Sequence, residues 1–139
     1  MFYWPVRVYY EDTDSGGVVY YANYLKFMER ARTEWLRNLG FEQDVLGRDY
    51  GIIFAVRSVT IDFLRPGRFN EQLEVGVRIA ARRAASLTFD QEVTRAAAGE
   101  DSGRELLCTA RVEVACIDTA GLRPRRIPEF MIAEIARAS

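Results

Sequence analysis

The segment Tyr9–Phe27, YYEDTDSGGVVYYANYLKF, gathers the side chains of this sequence best suited to chemistry. Glu11, Asp12 and Asp14 place three carboxylates within four positions, Gly16-Gly17 follow, and the chain then turns apolar and aromatic. Asp, Ser, Thr and Gly are turn residues, so a simple link between two elements is the plainer account of any one of them. In combination they offer more. A glycine pair permits backbone conformations closed to other residues and lets a ligand approach the main chain. A helix opening just beyond presents unpaired N–H groups, where the dipole favours developing negative charge. A carboxylate beside such donors is half of an acyl-transfer site, with one group to attack or activate water and one hole for the oxyanion. Asp12 reads instead as a turn or capping acid.

Composition narrows the chemistry. The 139 residues contain no histidine, which removes Ser-His and Cys-His nucleophile pairs and the usual zinc sites. Cys108 and Cys116 lie too far apart along one strand to bridge and read as small buried hydrophobes. Carboxylates, tyrosines, arginines and the backbone remain. A net charge of −1 gives no global field toward nucleic acid or anionic membrane. No apolar run is long enough to span a bilayer, and MFYWPVRVYYED lacks the pattern of a signal peptide, so a cytoplasmic location is expected.

The elements that must position these residues follow from periodicity. Pro5–Tyr10 reads as a first strand. Tyr24, Phe27, Met28, Ala31, Trp35, Leu36 and Leu39 mark one face of a helix over 24–39, with Asn23 as N-cap and Gly40 as a left-handed C-cap. Lys26, Glu29, Arg30, Thr33, Glu34 and Arg37 occupy its other face. Four strands follow. Ile53, Ala55, Val59, Ile61 and Phe63 alternate in the first, and Leu73, Val75, Val77 and Ile79 in the second. Leu87, Phe89 and Val93 mark the third; Leu106, Cys108, Ala110, Val112, Val114 and Cys116 form one face of the last. Arg65–Arg68 and Ala98–Gly103 are the turns, and Pro128 opens a short C-terminal helix. One domain over 1–139 is expected, of the α+β class, its antiparallel sheet wrapped around one long central helix: the hotdog fold. Such a sheet leaves its edges unprotected, so edge-to-edge dimerisation is expected.

Residues Val6–Leu25, VRVYYEDTDSGGVVYYANYL, closely resemble the signature of the 4-hydroxybenzoyl-CoA thioesterase family, and most of all its YbgC-type acyl-CoA thioesterases associated with the Tol–Pal system. The likeness continues through Glu29–Glu34 and, more weakly, to Pro128. It implies a homo-oligomeric, metal-free hydrolase, a dimer of dimers or homotetramer, that converts an acyl-CoA thioester and water to a carboxylic acid and coenzyme A. No cofactor is implied; coenzyme A is part of the substrate. Asp14 matches the family's catalytic carboxylate, acting as nucleophile through a mixed anhydride or as general base. Tyr21 matches the position whose backbone N–H polarises the thioester carbonyl, and Gly16 and Gly17 shape the loop around it. Tyr24 and Phe27, nearest Asp14 on the helix, line core and acyl pocket together. YbgC-type sequences usually read V-V-Y-H where this chain has Tyr21; the hydroxybenzoyl branch has Tyr there, which leaves aliphatic and aromatic acyl groups both open.

Coenzyme A carries phosphates, and arginine forks suit them. The family's basic turn maps to Arg82–Ser86, with Arg83 and Ser86 the best matches, and Arg65 and Arg68 around Pro66-Gly67 are a second candidate. Arg123, Arg125 and Arg126 read as surface or subunit contact. A hydratase or dehydratase on the same fold usually leans on histidine. A non-catalytic hotdog protein binding acyl-CoA, acyl carrier protein or an envelope-assembly and phospholipid-synthesis partner is the alternative from a different class.

Overall fold

The computed structural model describes residues 1–96 and 103–138; of the turn expected over Ala98–Gly103, all but Gly103 lies outside the described residues. The chain runs β1 (Phe2–Arg7), a single 3₁₀ turn (Tyr10–Asp12), α1 (Asn23–Asn38), α2 (Gln43–Tyr50), β2 (Ile52–Phe63), β3 (Gln72–Arg82), β4 (Ser86–Ala96), β5 (Arg104–Asp118) and α3 (Glu129–Ala138). The five strands form one antiparallel sheet in the order β1-β3-β4-β5-β2, curved around α1. This is the hotdog fold that the periodicity predicts. Among the described residues no helix is long and apolar enough to cross a membrane.

The central helix holds the core. Tyr24, Phe27, Met28, Ala31, Trp35 and Leu36 are all buried, and Trp35 meets Phe89 of β4 edge-on at 5.3 Å. Burying each large side chain of that face contributes about 1.5–3 kcal/mol. The helix stops where expected. Gly40 takes φ +98°, its N–H bonds Arg37 O at 2.9 Å, and Phe41 N–H bonds Leu36 O at 3.0 Å. That pair of bonds is a Schellman motif, which needs a residue free to adopt the left-handed conformation. Helix α2 escapes the sequence pattern because it buries only Leu46, one residue in eight. At the far end of the chain, α3 begins just after Pro128, buries Met131 and Ile135, and sets Phe130 against Phe41 and Tyr50.

Three strand readings are corrected, each by a local irregularity. The first strand lies over Phe2–Arg7 rather than Pro5–Tyr10; Pro5 is tolerated because β1 is an edge strand. In β2 the register shifts between Val56 and Ser58, so Arg57 is an extra residue and the phase changes there. Phe54 and Val56 therefore share the helix-side face with Val59, Ile61 and Phe63, while Ile53 and Ala55 turn to the opposite face. In β5 the shift opposite Val93-Thr94 makes Leu107, not Leu106, the core residue: Leu107 is fully buried and Leu106 only half-buried. Both cysteines are buried and free, and burial pushes the Cys108 thiol up to about 12, so it is inert.

The bulge in β5 makes a testable distinction. Leu107→Ala should cost about 2–5 kcal/mol in urea denaturation, and Leu106→Ala well under half as much; equal costs would contradict the bulged register.

Candidate active site

The acidic segment folds as two nested turns fastened to the start of α1. Asp12 is buried, and its carboxylate Oδ2 accepts the Tyr9 N–H at 2.8 Å, which closes the 3₁₀ turn. Its carbonyl oxygen accepts two bonds at 2.9 Å, from the Tyr20 N–H and from the Asn23 side-chain Nδ2. Asn23 is thus not the N-cap: it is the first residue of α1, buried, and its amide ties the helix to the loop. Asp12 is the turn acid expected of it.

Between Asp12 and Tyr20 the chain makes a small hairpin in which Thr13 bridges Val19. Asp14 N–H bonds Val18 O at 2.9 Å and Gly17 N–H bonds Asp14 O at 3.1 Å. Gly17 closes the turn at φ +77°, a conformation that favours glycine. Asp14 Oδ1 accepts the Gly16 N–H at 2.9 Å, which orients the carboxylate. Its other oxygen is exposed and, among the described residues, has neither ion-pair nor hydrogen-bond partner. Gly16 and Gly17 therefore act through Asp14, by fixing the turn that carries it.

Tyr21 stands at the helix entrance. The bonds of the entrance run past it, Asn23 N–H to Tyr20 O at 2.8 Å and Tyr24 N–H to Tyr21 O at 3.3 Å. Its own N–H has no hydrogen-bond partner among the described residues, as the first turn of a helix allows. Its ring, 61% exposed, meets Phe63 edge-on at 6.0 Å and Tyr20 at 4.9 Å. The neighbouring Tyr21 side chain raises the Tyr20 hydroxyl above its ordinary pKa. Beside this entrance lies an open cavity of about 280 Å³ lined by Val19, Tyr21, Tyr24, Phe63, Leu64 and Arg65.

The cavity's second wall, Phe63–Gly67, is held from below. Leu64 and Arg65 N–H both bond the carbonyl of bulged Leu107, at 2.8 and 3.0 Å. Gly67 N–H donates to the buried Tyr24 hydroxyl at 2.8 Å, and Gly67 O accepts Val19 N–H at 2.8 Å. A side chain at Gly67 would press on Val19 and Tyr24 at 3.2 and 3.3 Å. Tyr24 thus has its hydroxyl fixed as an acceptor for the Gly67 N–H while its ring lines the cavity. Burial raises its pKa, against the lowering effect of the Gly67 N–H. Arg95, absent from the sequence reading, pins the same segment by bonding Pro66 O and Glu71 at 2.9 Å and Glu105 at 3.0 Å. Arg65 pairs with Glu105 at 3.2 Å at the rim, more than half exposed.

The expected nucleotide residues divide. Arg65 shares the end of the sheet that carries Asp14 and Tyr21. Arg83 and Ser86 lie at the other end, about 30 Å away along β5 at roughly 3.3 Å per residue. Ser86 is 6% exposed, which leaves it little surface for a ligand. Arg83 instead shares a cleft of about 600 Å³ with Arg82 and with Arg126, from the basic run read as surface. None of the three has an ion-pair or side-chain hydrogen-bond partner among the described residues. Sequence separation hid this cluster: Arg126 reaches the turn because Ile127 N–H bonds Ala84 O at 2.8 Å.

Fold and site together define a hotdog protein with a carboxylate loop at the opening of its central helix. Residues 8–135 match the profile of the thioesterase-like superfamily, and the chain belongs to that family. It is 43% identical over 134 residues to the acyl-CoA thioester hydrolase YbgC of Escherichia coli O6:H1, covering 96% of this chain and 95% of that one. Among solved structures it is similar to a probable thioesterase from Bartonella henselae, with TM-score 0.81 and 38% identity over 91% of this chain and 98% of that one. The 4-hydroxybenzoyl-CoA thioesterase of Pseudomonas sp. strain CBS-3 shares the fold at TM-score 0.87 and 20% identity, over 96% of this chain and 97% of that one.

The wall contact can be tested through stability. Tyr24→Phe removes the acceptor of a buried N–H and should cost about 1–3 kcal/mol. A pKa raised in the folded state means stability present below the unfolded value of 10.0 and lost as pH rises past it. Wild type should therefore lose stability above pH 10 more steeply than Tyr24→Phe; equal slopes would remove the buried phenol from the account.

Proposed function

We propose that this chain is an acyl-CoA thioester hydrolase in which Asp14 carries the chemistry and Tyr21 N–H holds the oxyanion. One observation carries the reading: an oriented carboxylate with one oxygen unpaired and an unpaired helix-entrance N–H belong to a single hydrogen-bonded unit, whose Val19 and Tyr21 line an open cavity. The hydrolase name of the Escherichia coli relative supports it. The thioester carbonyl lies against Tyr21 N–H, whose pull strengthens as negative charge develops on the oxygen. Two routes use the same groups. In one, the Asp14 carboxylate attacks the carbonyl carbon and the C–S bond breaks, expelling coenzyme A thiolate. Water then cleaves the mixed anhydride and returns the carboxylate. In the other, Asp14 takes a proton from water as the water attacks, and the collapsing intermediate releases the thiolate.

A second copy completes the site in this proposal. Strand β2 is an unpaired edge of twelve residues, and Val56, Val59 and Phe63 on its helix-side face are 51%, 37% and 48% exposed. Unpaired edges with apolar side chains invite another strand. Antiparallel pairing of two β2 strands about a two-fold axis at their middle sets the Phe63 end of one copy beside the Ile52 end of the other. The Arg82-Arg83-Arg126 cleft of one subunit then falls at the same end as Asp14 of its partner. The thioester of a bound acyl-CoA lies at Asp14, and its phosphates reach arginines of the second subunit or Arg65 of the first. A dimer of dimers, a cytoplasmic site of action, and contacts with acyl carrier protein or Tol–Pal components belong to the same proposal, as the resemblance implies.

Asp14→Asn should lower the rate of thiol release from acyl-CoA about 10²-fold or more while leaving the fold intact; unchanged turnover would refute the assignment. Ile61→Glu on β2 should give a monomer by light scattering and lose turnover with it. A monomer of full activity would show that one subunit suffices.

A further inference from the structure

The hairpin that carries Asp14 has almost no packing of its own. Over residues 13–19 only Val19 is buried, and Asp14, Ser15, Gly16 and Gly17 are all exposed. Its return strand leans on residues 67–69 instead. Val18 bridges Arg68, flanked by bonds from Val19 N–H to Gly67 O at 2.8 Å and from Phe69 N–H to Gly17 O at 3.2 Å. Asp14 N–H then bonds Val18 O at 2.9 Å, which carries this register across the hairpin to Asp14. Residues 67–69 are themselves a surface segment in which only Gly67 is buried, so their position has to be set from beneath.

Arg95 reaches that segment from inside the fold. It stands on the helix-side face of β4, two residues beyond Val93 and opposite Leu73, both fully buried. Its side chain is 16% exposed. Nη1 donates to Pro66 O at 2.9 Å and to the two Glu71 oxygens at 2.9 and 3.2 Å, while Nε donates to Glu105 Oε2 at 3.0 Å. Glu71 Oε1 in turn accepts the Arg68 N–H at 2.7 Å. A cation in this place loses water, and the two carboxylates compensate it. An apolar side chain of similar size would close the end of the core without that cost. It would not supply the link from β4 through the Glu71 carboxylate to the Arg68 backbone.

We propose that Arg95 is a positioning residue for Asp14, holding its hairpin in register through Glu71 and Arg68. The inference rests on the reading of Asp14 as the reacting carboxylate. Arg95 does not line the cavity beside Tyr21. Its effect reaches Asp14 through three links: the Glu71 carboxylate, the Arg68 backbone and the Val18 backbone. The Asp12 carbonyl fastens the base of the hairpin, at Tyr20 and Asn23, and Arg68 fastens its side. With both held, the Asp14 carboxylate keeps one position relative to Tyr21 N–H. Displacing a reacting group by about 1 Å costs about 10²-fold in rate. Loss of the side attachment is therefore read in turnover rather than in substrate binding.

Thiol release is followed with benzoyl-CoA or hexanoyl-CoA, whichever wild type turns over faster. Arg95→Met keeps the stem and removes the guanidinium. It should lower kcat about 10-fold or more while KM, and the Kd of the matching non-hydrolysable thioether, stay within about 3-fold of wild type. Arg95→Lys, which keeps the charge and loses the fork, should fall between. In an Asp14→Asn background Arg95→Met should change the residual rate less than about 2-fold, because a group acting through Asp14 then has nothing to position. Glu71→Ala cuts the link and leaves Arg95 on Glu105 and Pro66 O; it should lower kcat alike, and it decides the matter if Arg95→Met does not fold. An unchanged kcat, or the full loss repeated in the Asp14→Asn background, would overturn the proposal. Amide hydrogen exchange reads the attachment without turnover. In either variant Val19 and Phe69 N–H should exchange about 10-fold faster or more, and Tyr20 N–H, bonded to Asp12 O, at the wild-type rate. Equal protection at Val19 and Phe69 overturns the role even if hydrolysis stands. Their faster exchange supports the hold on the hairpin even if Asp14→Asn keeps full turnover and the hydrolase assignment of Asp14 falls.

Discussion

The Asp12 carbonyl receives the Tyr20 N–H and the Asn23 amide, and these two bonds join the acidic loop to the central helix. Without them the hairpin carrying Asp14 would be a surface turn free to move relative to Tyr21. With them, one buried oxygen sets the position of both. The arrangement holds because Asp12 and Asn23 are buried, and buried polar groups left unpaired are costly. The carboxylate of Asp12 is spent on Tyr9 N–H, inside the turn. Of two neighbouring aspartates, one builds the turn and the other keeps a carboxylate oxygen without a partner among the described residues.

The opposite wall of the cavity depends on a defect in the sheet. An extra residue in β5 turns Leu107 inward, and its carbonyl then receives two N–H groups from the end of β2. Bulges redirect side chains and terminate pairing, commonly near functional sites. Here the bulge ends β2 at Phe63 and turns the chain toward Gly67, which the Tyr24 hydroxyl and Arg95 hold down. Helix, loop and bulge therefore meet at one end of the sheet. The basic cleft occupies the other end, and the unpaired β2 edge runs between them. Antiparallel pairing about a two-fold axis is the operation that brings opposite ends of a sheet together.

The sequence was legible where local rules decide. The apolar stripe of α1, its end at Gly40, the Pro128 helix start and the two-residue period of the strands all followed from short-range spacing. So did the acidic turn itself, because the bonds that shape it join residues within a few positions of one another, and Gly17 takes the left-handed conformation there. Helix α2 was missed because a single buried leucine carries no periodic signal. The strand faces were misphased at Arg57 and Leu107 because a bulge is a property of two strands and leaves no mark on one.

What the amino-acid order determined by itself was the hotdog architecture and the presence of a glycine-closed acidic turn before the central helix; both rest on patterns shorter than a helix. Tertiary structure alone decided what depends on distant residues meeting. It put Arg126 beside Arg83, left Ser86 buried, set the Tyr24 hydroxyl against Gly67 N–H, and brought the Arg32 guanidinium onto the Gln91 side chain. The physical reason is the same each time. Burial and hydrogen-bond partnership are set by what the fold brings within about 3 Å, and a linear sequence does not carry those distances.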